Sequence, residues 1–404
     1  MKNYKVVNSC EVCGNTNLDE VLNLGEHPLC DDLIEIGSKK ENIKYPVKVA
    51  LCNKCFTAHQ IFQVDKSELF PKSYHYRARF TKDVINGMKD LKDSIVKEKG
   101  SIENKVFLDI GCNDGSLLNF FRDDGAITIG IEPTDASKEA AEKGHEIFND
   151  FFDLITVKKI LKKYPKIDFI TFTNVFAHIE NLPLLLSNLK KLINDDTTII
   201  IENHYLGSIL EKNQFDTFYH EHPRTYGLNS FRNISKKLDM QLANYQFPQR
   251  YGGNIRVFLE KNKKTKDLST MREILKKEEL FSREFKKMEK FLEKWKTLKK
   301  IEILKIVEKI GPIPAKAFPG RAAILIKILD INEKHISAVY ERSGSQKIGN
   351  YVPGTKIPIL DELEFFEKNL NSKAIINLAW HISSEIKIFL RNKGYNGKII
   401  NILD

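Results

Sequence analysis

Two histidines, a carboxylate and a tyrosine occupy four consecutive positions of this chain, namely Tyr219, His220, Glu221 and His222. Histidine titrates close to neutral pH, so an imidazole here could remove a proton from a bound molecule, and the glutamate could orient it. Another histidine, His178, follows an apolar run that reads as a strand. Because ligands bind at the carboxyl ends of strands in open α/β folds, the pattern predicts acid–base chemistry at such an edge.

The residues alone leave other interpretations of these side chains open. His178 could cap a helix or lie on the surface. His220 and His222 could ligate a metal, although this spacing is not a standard zinc signature. Tyr76 lies in the segment S-Y-H-Y-R that ends at Arg77, and it could be a core aromatic between domains or a ligand contact.

A glycine-rich turn follows the apolar run at residues 106–110. It carries acidic, amide and glycine residues at Asp109, Gly111, Asn113, Asp114 and Gly115. Such a turn lets a ligand approach bare backbone, and the helix that begins after it favours polar or negative groups. A second apolar run, 127–131, ends in Glu132, an acid placed to bind two ribose hydroxyls. The acid-x-Gly-x-x-x-Gly form resembles the S-adenosylmethionine (SAM) loop of class I methyltransferases, and a nucleotide-binding loop for another ligand is the alternative.

Two C-x-x-C pairs lie near the start of the chain, at Cys10 and Cys13 and at Cys52 and Cys55. Four thiolates make a closed, structural zinc site that has no open position for chemistry. A redox dithiol is the alternative, but the strand–helix context of thioredoxin-like motifs is missing here. The spacing therefore predicts structural Zn²⁺.

The pattern of apolar runs predicts an α/β protein with several domains. Strands alternate with helices between residues 80 and 260, which favours a doubly wound parallel sheet, with strands at 106–110, 127–131, 168–171, 198–202 and 255–259. Residues 261–310 show helical periodicity without Gly or Pro, and α/β alternation resumes from residue 311. We predict a zinc-binding domain at 1–75, a SAM-binding domain at 76–260, a helical linker at 261–310 and a smaller α/β domain at 311–404.

Length and charge limit the possible functions. A chain of 404 residues is long enough for two or three domains. The net charge of +10 would suit a nucleic acid, but the lysines are spread along the chain and many fall in the helical stretch, which favours a solvated helix face. A moderate positive field would also attract an anionic small molecule such as a nucleotide-sugar. With neither a bilayer-length apolar run nor the apolar core of a secretion signal, we expect a cytoplasmic protein.

The motifs taken together resemble one family. Along the chain stand two zinc knuckles and then, in order, Y-x-Y, D-I-G-C-N-D-G, N-x-x-A-H-I and Y-H-E-H. This order resembles the three-domain sugar C-methyltransferases, which act on nucleotide-linked ketosugars in deoxysugar biosynthesis, and the resemblance covers essentially the whole chain. It implies a class I methyltransferase sheet flanked by an N-terminal zinc-binding domain and a C-terminal Rossmann-like domain. It also implies SAM and structural Zn²⁺ as cofactors, a nucleotide-linked sugar as substrate, no nucleic acid or membrane partner, and a monomer.

The resemblance also implies roles for individual residues. His222 would be the base that forms an enolate, Tyr219 and Glu221 would hold it or the sugar, and His178 and Tyr76 would bind the sugar or stabilise the enolate oxygen. The residues that would hold SAM are Gly111, Asn113, Asp114, Glu132 on the ribose, and Asn174 near the methionine part. One departure is Pro-Gly-Arg321 in the C-terminal part, where a Lys-Gly pair is common in the family.

Three other functions stay open. A SAM enzyme could methylate an oxygen or nitrogen of a sugar or a related small metabolite, since a hydroxyl acceptor also needs a base. A non-catalytic binding protein that retains the zinc module fits the intact motifs less well. A nucleic-acid methyltransferase fits the basic residues less well, because they show no interleaved aromatics.

Overall fold

A computed structural model of the chain describes residues 3–69, 77–80 and 82–403, so Tyr76 lies outside the described residues. The first part of the chain forms β1 (Tyr4–Val6), β2 (Leu18–Pro28), β3 (Ile34–Glu35), β4 (Lys44–Cys52), β5 (Ala58–Gln60), β6 (Phe62–Val64) and α1 (Lys66–Leu69). Strands β2, β4 and β5 pair antiparallel. Cys52 ends β4 and Cys55 lies in the turn before β5, so this small sheet holds the second cysteine pair in place.

The middle part builds a seven-stranded sheet. Its elements are α2 (Lys82–Lys99), β7 (Val106–Ile110), α3 (Ser116–Asp123), β8 (Ile127–Ile131), α4 (Ala136–Glu142), β9 (Glu146–Phe148), α5 (Leu154–Lys163), β10 (Phe169–Thr173), α6 (Leu182–Leu192), β11 (Thr198–His204), α7 (Leu206–Glu211), β12 (Arg224–Thr225), α8 (Leu228–Lys237), β13 (Gln241–Gln246) and β14 (Asn254–Glu260). The strand order is β13-β14-β11-β10-β7-β8-β9. The chain leaves β7 in one direction to β8 and later returns to its other side at β10, which creates the crevice where doubly wound sheets bind ligands.

The prediction of a wholly parallel sheet is wrong for the last strand. Strands β7 to β11 run parallel, whereas β14 pairs antiparallel with both β11 and β13. Only residues 247–253 connect β13 to β14, and a connection this short joins antiparallel neighbours because a parallel pair needs a long crossover. Strands β7, β8, β10 and β11 are mostly apolar and almost entirely buried, as expected for parallel strands covered on both faces.

The last part consists of two helices followed by a smaller sheet with three further helices. Its elements are α9 (Leu268–Glu278), α10 (Phe281–Ile310), β15 (Ile313–Lys316), α11 (Ala322–Leu329), β16 (Ile336–Glu341), β17 (Asn350–Tyr351), β18 (Ile359–Asp361), α12 (Glu362–Lys368), β19 (Ala374–Asn377), α13 (Ser383–Asn392) and β20 (Lys398–Asn401). The five-stranded sheet β18-β16-β15-β19-β20 is parallel, which confirms the smaller α/β domain. Helix α10 buries one stripe at helical spacing, made of Phe281, Phe285, Met288, Leu292, Trp295, Lys299 and Ile303.

Strand β12 comes from the middle part of the sequence but completes the sheet of the first part. It pairs antiparallel with β5, with Arg224 opposite His59. The neighbouring Tyr226 carbonyl accepts a hydrogen bond from the Leu206 N–H at 2.9 Å, inside the middle part. One short segment is therefore bonded to backbone on both sides. The predicted boundaries at residues 75, 260 and 310 stay a prediction, and this pairing crosses the first of them.

A buried ion pair fastens the same strand to the cysteine region. The Arg224 side chain is 0% exposed and pairs with Glu11, which stands between Cys10 and Cys13. The Arg224 Nε also donates to the Tyr226 hydroxyl at 3.0 Å. A buried cation without its partner is costly, so this contact requires that the first and middle parts dock in one arrangement.

We expect Glu11→Ala to destabilise the protein by about 3–5 kcal/mol, because it leaves the Arg224 charge buried and unpaired. The control is Lys5→Ala. Lys5 pairs with the same carboxylate at 2.7 Å, but its side chain is 48% exposed, so its loss should cost about 1 kcal/mol or less. Thermal unfolding of the zinc-loaded proteins measures both. Similar Tm values for the two variants would contradict a structural role for the Glu11–Arg224 pair.

Candidate active site and metal centre

The four predicted zinc ligands come together in one cluster. The sulfur atoms of Cys10, Cys13, Cys52 and Cys55 all lie within 4.8 Å of one another. Backbone N–H groups approach the cluster, with the Lys54 N–H 3.4 Å from the Cys52 sulfur. The set of four thiolates is the donor set of structural zinc and leaves no open coordination position. The residues therefore fit Zn²⁺ in a structural role.

The glycine-rich turn, residues 109–115, adopts backbone conformations that its sequence allows. Gly111 has φ 75°, and a Cβ there would lie 2.6 Å from a methyl group of Val175. Both the backbone conformation and the lack of space therefore require glycine. Asn113 has φ 50° and Asn174 has φ 55°, in the left-handed region that asparagine tolerates best among residues with a side chain. These conformations bring bare backbone to the end of β7.

Glu132 holds this turn in place. One carboxylate oxygen accepts from the Asn113 N–H at 3.0 Å, and the other accepts from the Thr134 N–H at 2.9 Å and its hydroxyl at 2.6 Å. The oxygen that accepts only from the Asn113 N–H retains capacity for a further hydrogen bond. The side chain therefore shapes the loop and can still accept ligand hydroxyls.

The structure separates the acids of the turn. Asp109 lines the cavity described below, accepts from the Thr171 hydroxyl at 2.7 Å, and has its pKa raised to about 7 by burial. Asp114 is fully buried behind the turn, where it accepts from the Ser116 hydroxyl at 2.6 Å at the start of α3 and pairs with Arg79. Asp114 and Gly115 are therefore not brought to the cavity wall.

One cavity of about 390 Å³ joins the turn to the histidines. The residues of the predicted SAM site that line this cavity are Asp109, Gly111, Asn113, Glu132 and Asn174. From the predicted catalytic set it is lined by His178, Tyr219, Glu221 and His222. Residues more than 100 positions apart in the sequence thus face one space, as the transfer of a chemical group between two bound molecules requires.

His222 is the most buried imidazole of this wall, at 6% exposure. Its Nδ1 lies 3.0 Å from the Thr217 carbonyl oxygen, so Nδ1 carries the proton and Nε2 holds the lone pair. Burial, with the nearby His178 and His204 rings, lowers its pKa well below the usual value. The side chain is therefore a neutral imidazole with a basic nitrogen at physiological pH.

The neighbours of His222 are aromatic or imidazole rings. The Tyr219 ring centroid lies 4.4 Å away and that of His178 lies 4.9 Å away. His178 donates from Nδ1 to the Glu221 carbonyl at 2.7 Å, and burial lowers its pKa to about 4. Burial raises the pKa of Tyr219 well above its usual value, so the phenol stays protonated and can donate a hydrogen bond. The arrangement places the Tyr219 hydroxyl and the His178 imidazole beside His222, which is the candidate base.

Sequence reasoning missed three residues of this site. His204 ends β11 and lines the cavity, and its ring lies 5.6 Å from that of His222. It follows the predicted strand 198–202, so the rule that placed His178 could have found it. Arg250 lines the cavity from a loop, and Thr217 acts through a backbone carbonyl, so no pattern of side chains marks them.

Several known proteins resemble this chain. It is 26% identical over 255 residues to the C-methyltransferase NovU of Streptomyces niveus, which covers 62% of this chain and 60% of that protein. It is 33% identical over 114 residues to the ubiquinone biosynthesis O-methyltransferase of Glaesserella parasuis serovar 5, over 26% of this chain and 47% of that protein. The chain thus spans less than two thirds of the length of these relatives. The solved structure of magnesium protoporphyrin IX methyltransferase from Synechocystis PCC 6803 with bound SAH aligns with 45% of this chain and 84% of its own, at 16% identity and a TM-score of 0.37.

Within the described ranges, no helix combines the length and the apolar composition that a bilayer crossing requires.

We expect Cys52→Ser to lose zinc and to loosen strand β12, because the metal holds the turn that leads into β5, the partner of β12. Metal analysis measures the zinc, and amide hydrogen exchange at residues 58–60 and 223–226 measures the pairing. Cys30→Ser is the control, since Cys30 is also buried but stands outside the four-cysteine cluster. Unchanged exchange in a zinc-free Cys52→Ser protein would show that the metal does not support this strand.

Three family models match successive parts of the chain. A model described as "Putative zinc binding domain" matches residues 10–70, "Methyltransferase domain" matches 79–246, and "C-methyltransferase C-terminal domain" matches 249–400. The first range holds the four-cysteine cluster, and the second holds six of the seven strands of the doubly wound sheet with its glycine-rich turn. The third holds strand β14 of that sheet and the smaller parallel sheet. The chain therefore belongs to the three-domain C-methyltransferase family, with a class I SAM-binding methyltransferase fold at its centre.

Proposed function

We propose that this protein is a SAM-dependent enzyme that methylates the carbon next to the keto group of a nucleotide-linked 4-ketosugar, through an enolate that His222 generates. The observation that carries the proposal is the His222 imidazole, which is buried, tied through Nδ1 to the Thr217 carbonyl, and part of the cavity wall that the glycine-rich turn also lines. The C-methyltransferase C-terminal model and the NovU similarity support carbon as the acceptor. The protein acts in this proposal as a cytoplasmic monomer, without a nucleic-acid or membrane partner.

SAM supplies an electrophilic methyl group when it is bound. In our proposal Glu132 accepts the ribose hydroxyls, as an acid at the end of the second strand does in related nucleotide sites. Gly111 lets the cofactor approach bare backbone, and Asn174 contacts it near the methionine part. Asp114 and Gly115 act from behind the wall, by holding the loop at the start of α3.

His222 begins the reaction at the sugar. A 4-keto group acidifies the hydrogen on the neighbouring carbon, and Nε2 takes that hydrogen as a proton. The electron pair of the broken C–H bond delocalises onto the keto oxygen as an enolate. A bound SAM would supply its methyl group to the enolate carbon and leave as the neutral thioether, and the proton on Nε2 would later pass to water. The reaction needs only proton acceptors and hydrogen-bond donors from the protein.

The residues around His222 suit the charges that form. Tyr219, as a protonated phenol, can donate to the enolate oxygen. In this proposal His178, whose Nδ1 proton goes to the Glu221 carbonyl, binds the sugar from the same wall. Glu221 holds the base or the sugar in this proposal, and Tyr76 is included from the family resemblance alone. An imidazolium next to an enolate is an ion pair, and its attraction is stronger in a cavity that excludes water.

Deuterium wash-in tests the proposal directly. A panel of nucleotide-linked 4-ketosugars is incubated with enzyme in heavy water without SAM, and mass spectrometry follows exchange. We expect exchange with the wild type, and a loss of about 10²–10⁴-fold in His222→Asn, because the general base is gone. Adding SAM should then convert the exchanging sugar into a methylated product.

The matched control is His220→Asn. His220 is two residues away and equally buried, but its Nε2 donates to the Tyr45 carbonyl at 3.2 Å and it does not line the cavity. This variant should keep exchange. Methyl transfer to any sugar without exchange would favour oxygen or nitrogen methylation, and equal loss of SAM binding and turnover in His222→Asn would remove its assignment as the base.

We expect Glu132→Gln to weaken SAM binding by about 10–100-fold, because a charge-assisted hydrogen bond to the ribose becomes a neutral one. Isothermal titration calorimetry measures the Kd. Asp135→Asn is the control, since this acid is three residues further on, exposed, and absent from the cavity wall. Equal SAM affinities in Glu132→Gln and the wild type would refute the ribose assignment.

A further inference from the structure

The Thr217 carbonyl, which accepts the hydrogen bond from His222, belongs to a turn that side chains of the C-terminal domain contact. The turn is Phe215–Thr217, and Arg321 stands immediately before α11. Its Nη1 donates to the Thr217 hydroxyl at 3.2 Å, and its Nε lies 3.3 Å from a carboxylate oxygen of Asp216. One guanidinium therefore contacts two consecutive residues of the turn.

A tryptophan completes this contact. The Trp380 indole N–H donates to the same Asp216 oxygen at 2.8 Å, and the Arg321 guanidinium stands over the Trp380 ring at 5.1 Å. Asp216 is fully buried, and a buried carboxylate needs a cation close by. The geometry of Asp216 is therefore set by two residues of the C-terminal domain.

Thr217 connects the Arg321 contact to the proposed base, His222. Thr217 receives Arg321 at its hydroxyl and presents its carbonyl to the Nδ1 of His222 at 3.0 Å. That carbonyl decides which imidazole nitrogen carries the proton. Arg321 itself is not among the described residues that line the cavity, so its geometry gives it no contact with the reacting molecules.

The opposite side of the turn is fixed as well. The Phe215 ring packs 5.0 Å from Trp295 of α10, a residue whose indole N–H donates to the Ile402 carbonyl at 2.9 Å. Movement of the turn toward α10 is therefore blocked by packed aromatics. On its other side the turn is held by Arg321 and Trp380, so loss of Arg321 removes one of these two side-chain contacts.

We propose that Arg321 is a positioning residue, which fixes the proton on Nδ1 of His222 by holding the Asp216–Thr217 backbone. This inference rests on the proposed role of His222 as the base. It gives the C-terminal domain a part in proton abstraction, since the base takes its reactive tautomer only when that domain is docked on the turn.

The first experiment compares Arg321→Met with Arg391→Met in the full chain. Arg391 is a matched control because it lies in the same domain, donates to the Tyr395 and Gly397 carbonyls and stands over the Tyr395 ring. We expect Arg321→Met to lower the maximal rate of deuterium wash-in about 10²-fold, as misplacement of a catalytic group does, with KM unchanged. Arg391→Met should match the wild type. A raised KM with an unchanged maximal rate would make Arg321 a substrate contact and overturn the proposal.

The second experiment reads the imidazole without any substrate. Nitrogen-15 NMR of histidine-labelled protein separates a protonated from an unprotonated ring nitrogen, and the His222 signals are those that vanish in His222→Asn. Wild type should show a protonated Nδ1, and Arg321→Met should show averaging between the two tautomers. Unchanged His222 signals in Arg321→Met would overturn the proposal, even if the sugar assignment or the base assignment had failed.

Two further variants guard against misfolding. Asp216→Asn combined with Arg321→Met removes both charges, so no buried carboxylate is left unpaired, and Thr217→Val removes only the hydroxyl that Arg321 contacts while keeping the carbonyl. Both should show the averaged His222 signals. Arg321→Lys should restore the wild-type His222 signals only in part. The lysine ammonium lacks the planar fork of N–H donors with which the guanidinium contacts Asp216 and Thr217 together.

Discussion

The backbone pairing of β12 with β5 is the constraint on which the rest of the site depends. Strand β12 follows directly after the Y-H-E-H segment, so the register of two residues in a zinc-bound sheet sets where His222 emerges. Because four thiolates leave no open coordination position, the metal site has a structural role.

All three parts of the chain converge on the segment between residues 215 and 226. The first part holds its end through Arg224 and Glu11, the middle part bonds it beside Leu206, and the C-terminal domain grips its beginning through Arg321 and Trp380. A loop that carries catalytic groups is usually the mobile element of a fold. Here the loop is held at both ends, which fixes the position of the His222 imidazole in the cavity wall.

Desolvation decides the protonation states in this wall. Burial lowers the pKa of His178 to about 4 and that of His204 to about 3, and it lowers the pKa of His222 as well. Deeper in the domain, the Glu202 carboxylate balances a buried Arg256 at 2.7 Å and lies 3.4 Å from Arg250. The cavity therefore presents neutral imidazoles to a ligand, while the buried charges of Glu202, Arg250 and Arg256 are paired with one another.

The sequence by itself determined most of the elements, and it predicted the candidate acid–base and cofactor residues. Alternating apolar runs with terminal acids placed Asp109 and Glu132 at strand ends, the C-x-x-C spacing predicted the metal cluster, and the helical stretch before the last domain was foreseen. Only the tertiary structure decided that β14 runs antiparallel, that Asp114 turns inward, and that His204, Thr217 and Arg321 serve the site. The reason is physical: side-chain type and spacing record local conformation, whereas a carbonyl aimed at an imidazole, or a strand lent to another sheet, exists only once distant segments pack together.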